Sequence, residues 1–354
     1  NAWLKQLRPE HLAPHDSLGS GAGRARFAPP PNLPAPVGSH DARALDAAHP
    51  ALPALGFTPV TLDDPALART GLRPGASGAQ ALLDAFRPRL AAYASQRDFP
   101  ALPGTSALSV ALRFGTVSIR SLVREAHALM LLGERGAEVW LNELIWREFF
   151  AQILAHRPEV ATQSFRPEYE ALDWHTGPLA DAWFEAWRTG RTGFPIVDAA
   201  MRELAATGAM HNRMRMVSAS FLVKDLGLDW RRGEAWFAAR LNDFELASNN
   251  GGWQWSASTG CDAQPYFRIF NPLSQSRKFD PQGIYLRRWL PELAALPDAA
   301  LHAPAADPIA AAAAGVVLGR DYPWPVVEHD AARRATLARF EAVRGPRQPP
   351  AARR

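Results

Sequence analysis

Five segments between residues 78 and 290 carry apolar residues at helical spacing, and they begin at residues 79, 109, 138, 195 and 211. No segment shows the strict alternation of a half-buried strand. Gly133 and Gly208 stand where helices commonly end, and Pro195 suits the first turn of another helix. The sequence therefore predicts an all-α domain over residues 78–335.

The two flanking regions have a different composition. Residues 1–77 are rich in Pro, Ala and Gly, as in RFAPPPNLPAPVGSHD, which predicts an extended interdomain connector with little core of its own. Residues 336–354 end in GPRQPPAARR and are predicted to form a C-terminal tail. Because the chain starts with Asn1 and not with Met, we expect it to be processed or to be part of a longer protein.

Composition excludes some classes of protein. The single cysteine, Cys261, allows neither an intrachain disulfide nor a cysteine-based zinc site, and we expect no metal. No apolar run is long enough to cross a bilayer and no signal-peptide pattern is present, so we expect a cytoplasmic protein. The formal net charge of +4 permits a nucleic-acid partner but does not require one.

The stretch SNNGGWQWSASTGCD, residues 248–262, combines glycines with tryptophans. Each glycine costs about 1 kcal/mol inside a helix, which argues against a plain core helix. A plain loop would not expose Trp253 and Trp255 to solvent. Glycines next to tryptophans therefore indicate backbone that lies close to a flat group.

The segment WLNELIWREFF places Glu143 four residues before Arg147 and three before Trp146. Residues at these spacings share a helix face. The segment is therefore either a core helix with a surface Glu–Arg pair or a pocket wall in which a carboxylate and an indole meet a planar ligand.

The segment HNRMRM allows Asn212, Arg213 and Met216 to face one cavity. Arg215 is expected to point elsewhere and to need a partner if it is buried. The alternative is a solvated basic turn.

Two further groups of polar residues are candidates for ligand contacts. Asp243 and Glu245 need donors if they are buried, either Arg215 or an N–H on a ring edge; otherwise they are surface acids. The run from Gly104 to Ser109 precedes a predicted helix, so it either holds a phosphate or simply starts the helix.

The order of these motifs strongly resembles the C-terminal FAD-binding domain of the photolyase/cryptochrome family, closest to bacterial class I cyclobutane pyrimidine dimer photolyases. The resemblance covers residues 78–335 and includes YASQRDFPALPGTSALS, VWLNELIWREFF, LNDFELASNNGGWQWSASTGCD and YLRRWLPEL. The start NAWLKQL is similar to the point where family members leave an N-terminal α/β antenna domain. The chain thus looks like a photolyase that lacks this domain.

The resemblance implies FAD as the cofactor, active in its reduced form. A folate or deazaflavin antenna chromophore would belong only to the missing domain. Relatives often carry Arg where this chain has Ala107. The implied FAD contacts are Tyr93, Thr105, Ser106, Ala107, Leu108, Ser109, Arg215, Asp243, Phe244, Glu245 and Asn249.

The resemblance also implies a pocket for the flipped lesion and a chain of electron-transferring tryptophans. The implied catalytic residues are Glu143, Trp146, Asn212, Met216, Asn249 and Trp255. The implied DNA contacts are Arg97, Glu143, Trp146, Arg147, Asn212, Arg213, Arg268, Gln275 and Lys278. The implied electron relay is Trp253, Trp230 and Trp174, with Trp183 competing for the last place. Asn249 and Asn250 are expected to present amides to the flavin, and Gly251 and Gly252 to let the backbone approach it.

The implied function is light-driven repair of cyclobutane pyrimidine dimers in DNA, by electron transfer from photo-excited reduced FAD to the flipped-out dimer. We expect a monomer whose partner is dimer-containing DNA. One alternative is a cryptochrome-type blue-light signalling flavoprotein. A (6-4) photolyase is another, but it should carry histidine at the position of Asn212. A third is a fragment that no longer binds flavin.

Overall fold

The structure, a computed structural model, describes residues 75–261 and 268–344. This part of the chain is helical and contains no β-strand, so the all-α prediction is confirmed for it. The first α-helices are α1 Gly75–Phe86, α2 Tyr93–Gln96, α3 Ser109–Arg113, α4 Ile119–Leu131, α5 Arg135–His156, α6 Pro178–Arg188, α7 Pro195–Thr207 and α8 Asn212–Ser220. The later ones are α9 Trp230–Arg240, α10 Leu246–Ala257, α11 Pro272–Phe279, α12 Ile284–Trp289, α13 Asp298–Leu301, α14 Pro308–Ala313 and α15 His329–Arg344.

Shorter helical turns connect several of these elements. A π-helical turn, Phe221–Asp225, continues directly from α8. The 3₁₀ turns are Arg87–Ala92, Pro158–Ala161, Pro167–Ala171, Pro291–Leu293 and Pro304–Ala306.

The predicted helix ends are present. Gly208 closes α7 with a left-handed backbone (φ 66°), and Gly133 follows α4 with φ 89°. Pro195 occupies the first turn of α7. Local turn chemistry was sufficient to place these boundaries.

The two predicted domain limits need correction. α1 begins at Gly75, so the last residues of the predicted connector are helical, while residues 1–74 lie outside the described residues. At the other end α15 continues to Arg344, and its Thr336 and Phe340 are buried. The helical body therefore extends past residue 335, and the first part of the predicted tail belongs to it.

The core is built around α7, α8, α9 and α10 and contains three fully buried tryptophans, Trp187, Trp230 and Trp253. Each large apolar side chain contributes roughly 1.5–3 kcal/mol when it is removed from water. This packing fixes the position of α10, which carries the stretch of glycines and tryptophans.

The stretch around Gly251 is a continuous helix, contrary to the sequence argument against one. Tertiary packing explains the difference. A Cβ on Gly251 would lie 2.1 Å from Phe150 Cδ1 of α5, and a Cβ on Gly233 of α9 would lie 2.0 Å from the Trp253 ring. The absence of side chains at these two positions lets α5 and α9 pack closely against α10.

Candidate active site

A cavity of about 320 Å³ opens between α3, α5, α8, α9 and α10. Many of the residues that the sequence singled out line it together. These are Ser109, Glu143, Trp146, Arg147, Asn212, Arg215, Met216, Asp243, Phe244, Glu245, Asn249 and Trp253. Predictions made from motifs up to 144 residues apart (Ser109 to Trp253) thus converge on one site.

A partly buried ion pair forms one side of the cavity. Arg215 Nη2 lies 2.8 Å from Asp243 Oδ2, as the sequence proposed. Burial would raise the pKa of Asp243, but the Arg215 guanidinium and the nearby Ser109 hydroxyl hold it below its usual value. Asp243 is therefore ionised at neutral pH. Its second oxygen, Oδ1, has no hydrogen-bond partner of good geometry in the described part of the chain.

Glu245 begins α10. Its two carboxylate oxygens accept the backbone N–H groups of Ala247 (3.0 Å) and Ser248 (2.9 Å), and Oε2 also accepts the Ser248 hydroxyl. The side chain is thus used to cap the helix, which stabilises helices by about 1 kcal/mol. The sequence assigned Glu245 to the ligand; in the structure its carboxylate orients the helix that carries Asn249 and Trp253.

Asn249 faces the cavity in a fixed orientation. Its amide nitrogen donates to Glu234 Oε1 at 2.7 Å and to the Glu234 carbonyl at 3.1 Å. The Asn249 carbonyl oxygen is therefore the group that remains for a ligand in the cavity. Glu234 was missed by sequence reasoning because it lies fifteen residues away on α9, at no local spacing that signals a contact.

Asn250 and Gly251 do not serve the cavity, which corrects the expectation for them. Asn250 is buried, donates to the Val160 carbonyl at 2.8 Å and accepts from Gln254. Gly251 packs against Phe150, as described above. Gly252 does line the cavity, and a Cβ there would meet nothing within 4 Å.

The outer part of the cavity is aromatic and polar. Trp146 is 44% exposed and stands edge-on to Phe149, with 5.3 Å between ring centroids. Asn212 Nδ2 approaches Met216 Sδ at 3.9 Å, so these two residues share a helix face as predicted. An exposed indole beside amide and thioether groups forms a platform that can accept a flat, polar ligand.

Glu143 pairs with a partner that the sequence did not propose. Arg97 Nη1 lies 2.5 Å from Glu143 Oε1, and both side chains are half-buried. Arg147, the alternative partner on the same helix, instead donates to the Leu112 carbonyl at 3.5 Å. The Glu143–Arg147 surface pair is therefore not formed.

The expected directions of Arg213 and Arg215 are reversed. Arg215 lines the cavity, whereas Arg213 turns away and pairs with Asp98 (Nη2 to Oδ1, 2.8 Å). The Arg213 guanidinium also lies 4.4 Å from the centre of the Phe279 ring. Helical spacing alone could not show that Asp98 and the Phe279 ring, which lie elsewhere in the chain, hold Arg213 away from the cavity.

The predicted phosphate segment contributes one residue to the cavity. Of residues 105–109, only Ser109 lines it. Thr105 and Ser106 are half-buried, Leu108 is buried, and Ala107 has a left-handed backbone (φ 54°) that costs a residue with a Cβ about 1–2 kcal/mol.

Four further residues from the predicted cofactor and DNA contacts lie outside the cavity. Tyr93 is buried beneath Arg97, and burial raises its pKa to about 12. Arg268 and Lys278 are exposed, and Lys278 lies over the Phe279 ring. Gln275 is half-buried, and its Oε1 has no partner among the described residues.

The tryptophans of the predicted relay lie in the core next to the cavity, which Trp253 lines. The Trp253 ring contacts Phe237 (4.9 Å between centroids) and Trp187 (6.0 Å). Trp230 is fully buried and Trp174 is partly buried against Phe340 of α15.

The other two tryptophans that the sequence singled out, Trp183 and Trp255, have different neighbours. Trp183 lies 5.4 Å from the His175 ring. Trp255 packs against Phe270 at 6.3 Å and does not line the cavity, in contrast to its predicted place in the lesion pocket.

Comparison with known proteins supplies the family. A family model described as the FAD binding domain of DNA photolyase matches residues 140–342, more than half of the chain, so the chain belongs to this family. The deoxyribodipyrimidine photo-lyase of Escherichia coli (strain K12) is 51% identical over 255 residues, which are 71% of this chain and 52% of that protein. The chain spans about half the length of the curated relatives it matches.

Solved structures agree with this assignment. A bacterial class III photolyase from Agrobacterium tumefaciens has a TM-score of 0.75 and 41% identity, covering 83% of this chain and 61% of its own. A cryptochrome from Synechocystis sp. PCC6803 has a TM-score of 0.71 and 35% identity, covering 80% and 59%. Within residues 75–261 and 268–344, every helix is too short or too polar to cross a lipid bilayer.

Proposed function

We propose that this chain is the FAD- and lesion-binding part of a deoxyribodipyrimidine photo-lyase, and that it splits cyclobutane pyrimidine dimers in DNA under light. One observation carries the proposal. A single cavity joins an inner side built from Arg215, Asp243 and Asn249 to an outer side built from Trp146 and Asn212. Such a cavity can hold a flavin and a flipped pyrimidine dimer in contact.

The inner side fits an isoalloxazine ring. Among the described residues Asp243 Oδ1 is a buried acceptor without a hydrogen bond of good geometry, and a ring N–H supplies one. Gly252 leaves open space on the wall, and Asn249 lines the same cavity. When bound, reduced FAD supplies the electron that light transfers to the dimer. The chain's own residues hold the ring and keep the acceptors in place.

The outer side fits a flipped pyrimidine dimer. Trp146 offers a stacking face, and stacking of this kind stabilises binding by about 1–3 kcal/mol per base. Glu143 and Asn212 supply an acceptor and an amide at the edge. A lesion that already stacks poorly costs less to extrude, which favours damaged over intact DNA.

The tryptophan cluster supports a route for reducing the flavin. In the described part of the chain the indole N–H groups of Trp253 and Trp230 have no acceptor. An indole that gives up an electron at either position has no neighbouring acceptor for its proton, which favours passing the charge on to a further tryptophan. Trp174 and Trp183, both partly buried, are the two candidates for the last tryptophan of the electron relay.

A signalling flavoprotein is the second candidate, because the Synechocystis cryptochrome has a similar structure. Trp146, Asn212 and Met216 in the cavity favour repair. Asn212 disfavours a (6-4) photolyase. The proposal also includes membership of class I, an antenna chromophore in a further domain, a monomeric state and a cytoplasmic location.

The proposal is tested with the FAD-loaded chain. We expect tighter binding to duplex DNA with one cyclobutane dimer than to the same duplex without it, and light-dependent loss of the dimer. Intact photoreduction without lesion preference would instead support signalling. Protein that remains colourless after incubation with FAD would contradict both readings.

A further inference from the structure

Two arginines predicted to contact DNA form ion pairs with acidic residues of the chain itself. Arg97 pairs with Glu143 at 2.5 Å and Arg213 pairs with Asp98 at 2.8 Å. The arginine side chains are similarly accessible, 20% and 18% exposed. Neither arginine can bind a phosphate at full strength while its acid holds it.

The two pairs differ in where the acid lies. Glu143 lines the cavity, whereas Asp98 does not. The Arg97 guanidinium lies outside the cavity, 5.4 Å from the centre of the Tyr93 ring. The Arg97–Glu143 pair therefore connects the lesion pocket to the surface around it, and the Arg213–Asp98 pair does not.

Building on the proposed function, we propose that the Arg97–Glu143 ion pair makes one phosphate contact conditional on lesion entry. Arg97 leaves Glu143 for a DNA phosphate only when the N–H donors of a flipped dimer replace it at the Glu143 carboxylate. Intact DNA keeps its bases stacked and brings no such donor. Arg97 then stays with Glu143, because a half-buried carboxylate without a partner is unfavourable.

The Arg213–Asp98 pair serves as the matched control within the same protein. The Phe279 ring holds Arg213 from the other side, and Asp98 is 37% exposed. When a phosphate takes Arg213, Asp98 returns to water whether or not the DNA is damaged. This exchange therefore contributes to the affinity for both DNAs, and Asp98 acts on Arg97 only through space.

The first test needs no variant. Each phosphate that a protein neutralises steepens the dependence of log affinity on log salt by about 0.9. We expect the complex with dimer-containing DNA to be steeper than the complex with intact DNA by about this amount. Equal slopes would overturn the proposal.

The second test uses Glu143→Gln and Asp98→Asn. Glu143→Gln should raise affinity for intact DNA by about threefold, the scale of one accessible ion pair, and steepen its salt slope. Adding Arg97→Gln should remove the gain. Asp98→Asn should raise affinity for both DNAs and change their ratio less than Glu143→Gln does, because Asp98 acts on Arg97 only through space.

Two outcomes separate this proposal from the function on which it rests. Wild-type protein that does not prefer dimer-containing DNA would refute the proposed function itself. Wild-type preference combined with unchanged intact-DNA affinity in Glu143→Gln would refute only the coupling. The single variant Arg97→Gln gives a further check, because it should weaken binding of damaged DNA alone, while Arg213→Gln should weaken both.

Discussion

Two adjacent glycines on α10 provide a matched pair of perturbations with opposite expected effects. Gly251 and Gly252 both lie inside the helix, so replacing either with Ala improves helix propensity by about 1 kcal/mol. Their surroundings differ. The new Cβ would lie 2.1 Å from Phe150 Cδ1 at position 251 and would meet nothing within 4 Å at position 252.

These contacts set the magnitudes. Overpacking costs about 1–3 kcal/mol, so Gly251→Ala should change the free energy of unfolding by between about 0 and −2 kcal/mol. Gly252→Ala should stabilise the FAD-free protein by about 1 kcal/mol, which corresponds to a few degrees in Tm. The same methyl group intrudes on the cavity, so FAD affinity should fall about tenfold or more.

The assay is denaturant unfolding of the FAD-free variants together with FAD titration followed by flavin fluorescence. Phe150→Leu in the Gly251→Ala background should recover part of the lost stability, since it removes the ring atoms that clash. If Gly252→Ala destabilised the FAD-free protein, or bound FAD as tightly as wild type, the assignment of Gly252 to the flavin wall would be wrong.

Three further predictions concern single side chains. Trp253→Phe should block photoreduction but spare repair when the FAD is chemically reduced first. Normal photoreduction in the variant would mean that another residue passes the electron to the flavin, and Trp255 would be the next residue to test. Burial lowers the pKa of His211 to about 4, below its unfolded value of about 6.5, so the fold loses stability as pH falls between these values. His211→Asn keeps an N-cap but does not titrate, so the variant should lose less stability than wild type over this pH range, by on the order of 3 kcal/mol. Free energies of unfolding measured at pH 7 and pH 4.5 would show the difference. Arg215→Met leaves the Asp243 carboxylate without its partner and should destabilise the protein by about 3 kcal/mol. A denaturation midpoint unchanged from wild type would mean that water already solvates this carboxylate.

The sequence was informative wherever a signal is local. Helical periodicity gave the all-α fold, and the αL glycine at 208 gave a helix end. The i, i+4 spacing placed Asn212 beside Met216. The Arg215–Asp243 pair was one of the alternatives that the sequence left open, because a buried acid requires a donor.

The sequence failed where contacts join distant elements. Nothing local shows that Arg97 rather than Arg147 reaches Glu143, or that Glu234 holds the Asn249 amide. The helix through Gly251 was missed for the same reason, since its stability depends on close packing with Phe150 and not on intrinsic propensity. Such contacts depend on how the helices are arranged in space, and periodicity does not encode that arrangement.

The π-helical turn after α8 has a practical consequence for cutting the chain into pieces. It turns the Lys224 ammonium into the interior, where it donates to the Ala257 carbonyl and the Ser258 hydroxyl, both at 2.9 Å. Phe340 covers this cation at 4.1 Å, and Thr336 donates to the Lys224 carbonyl. A recombinant fragment that stops at residue 335 would remove both residues, open a hydrated hole over a buried charge and loosen the end of the helix that carries Trp253.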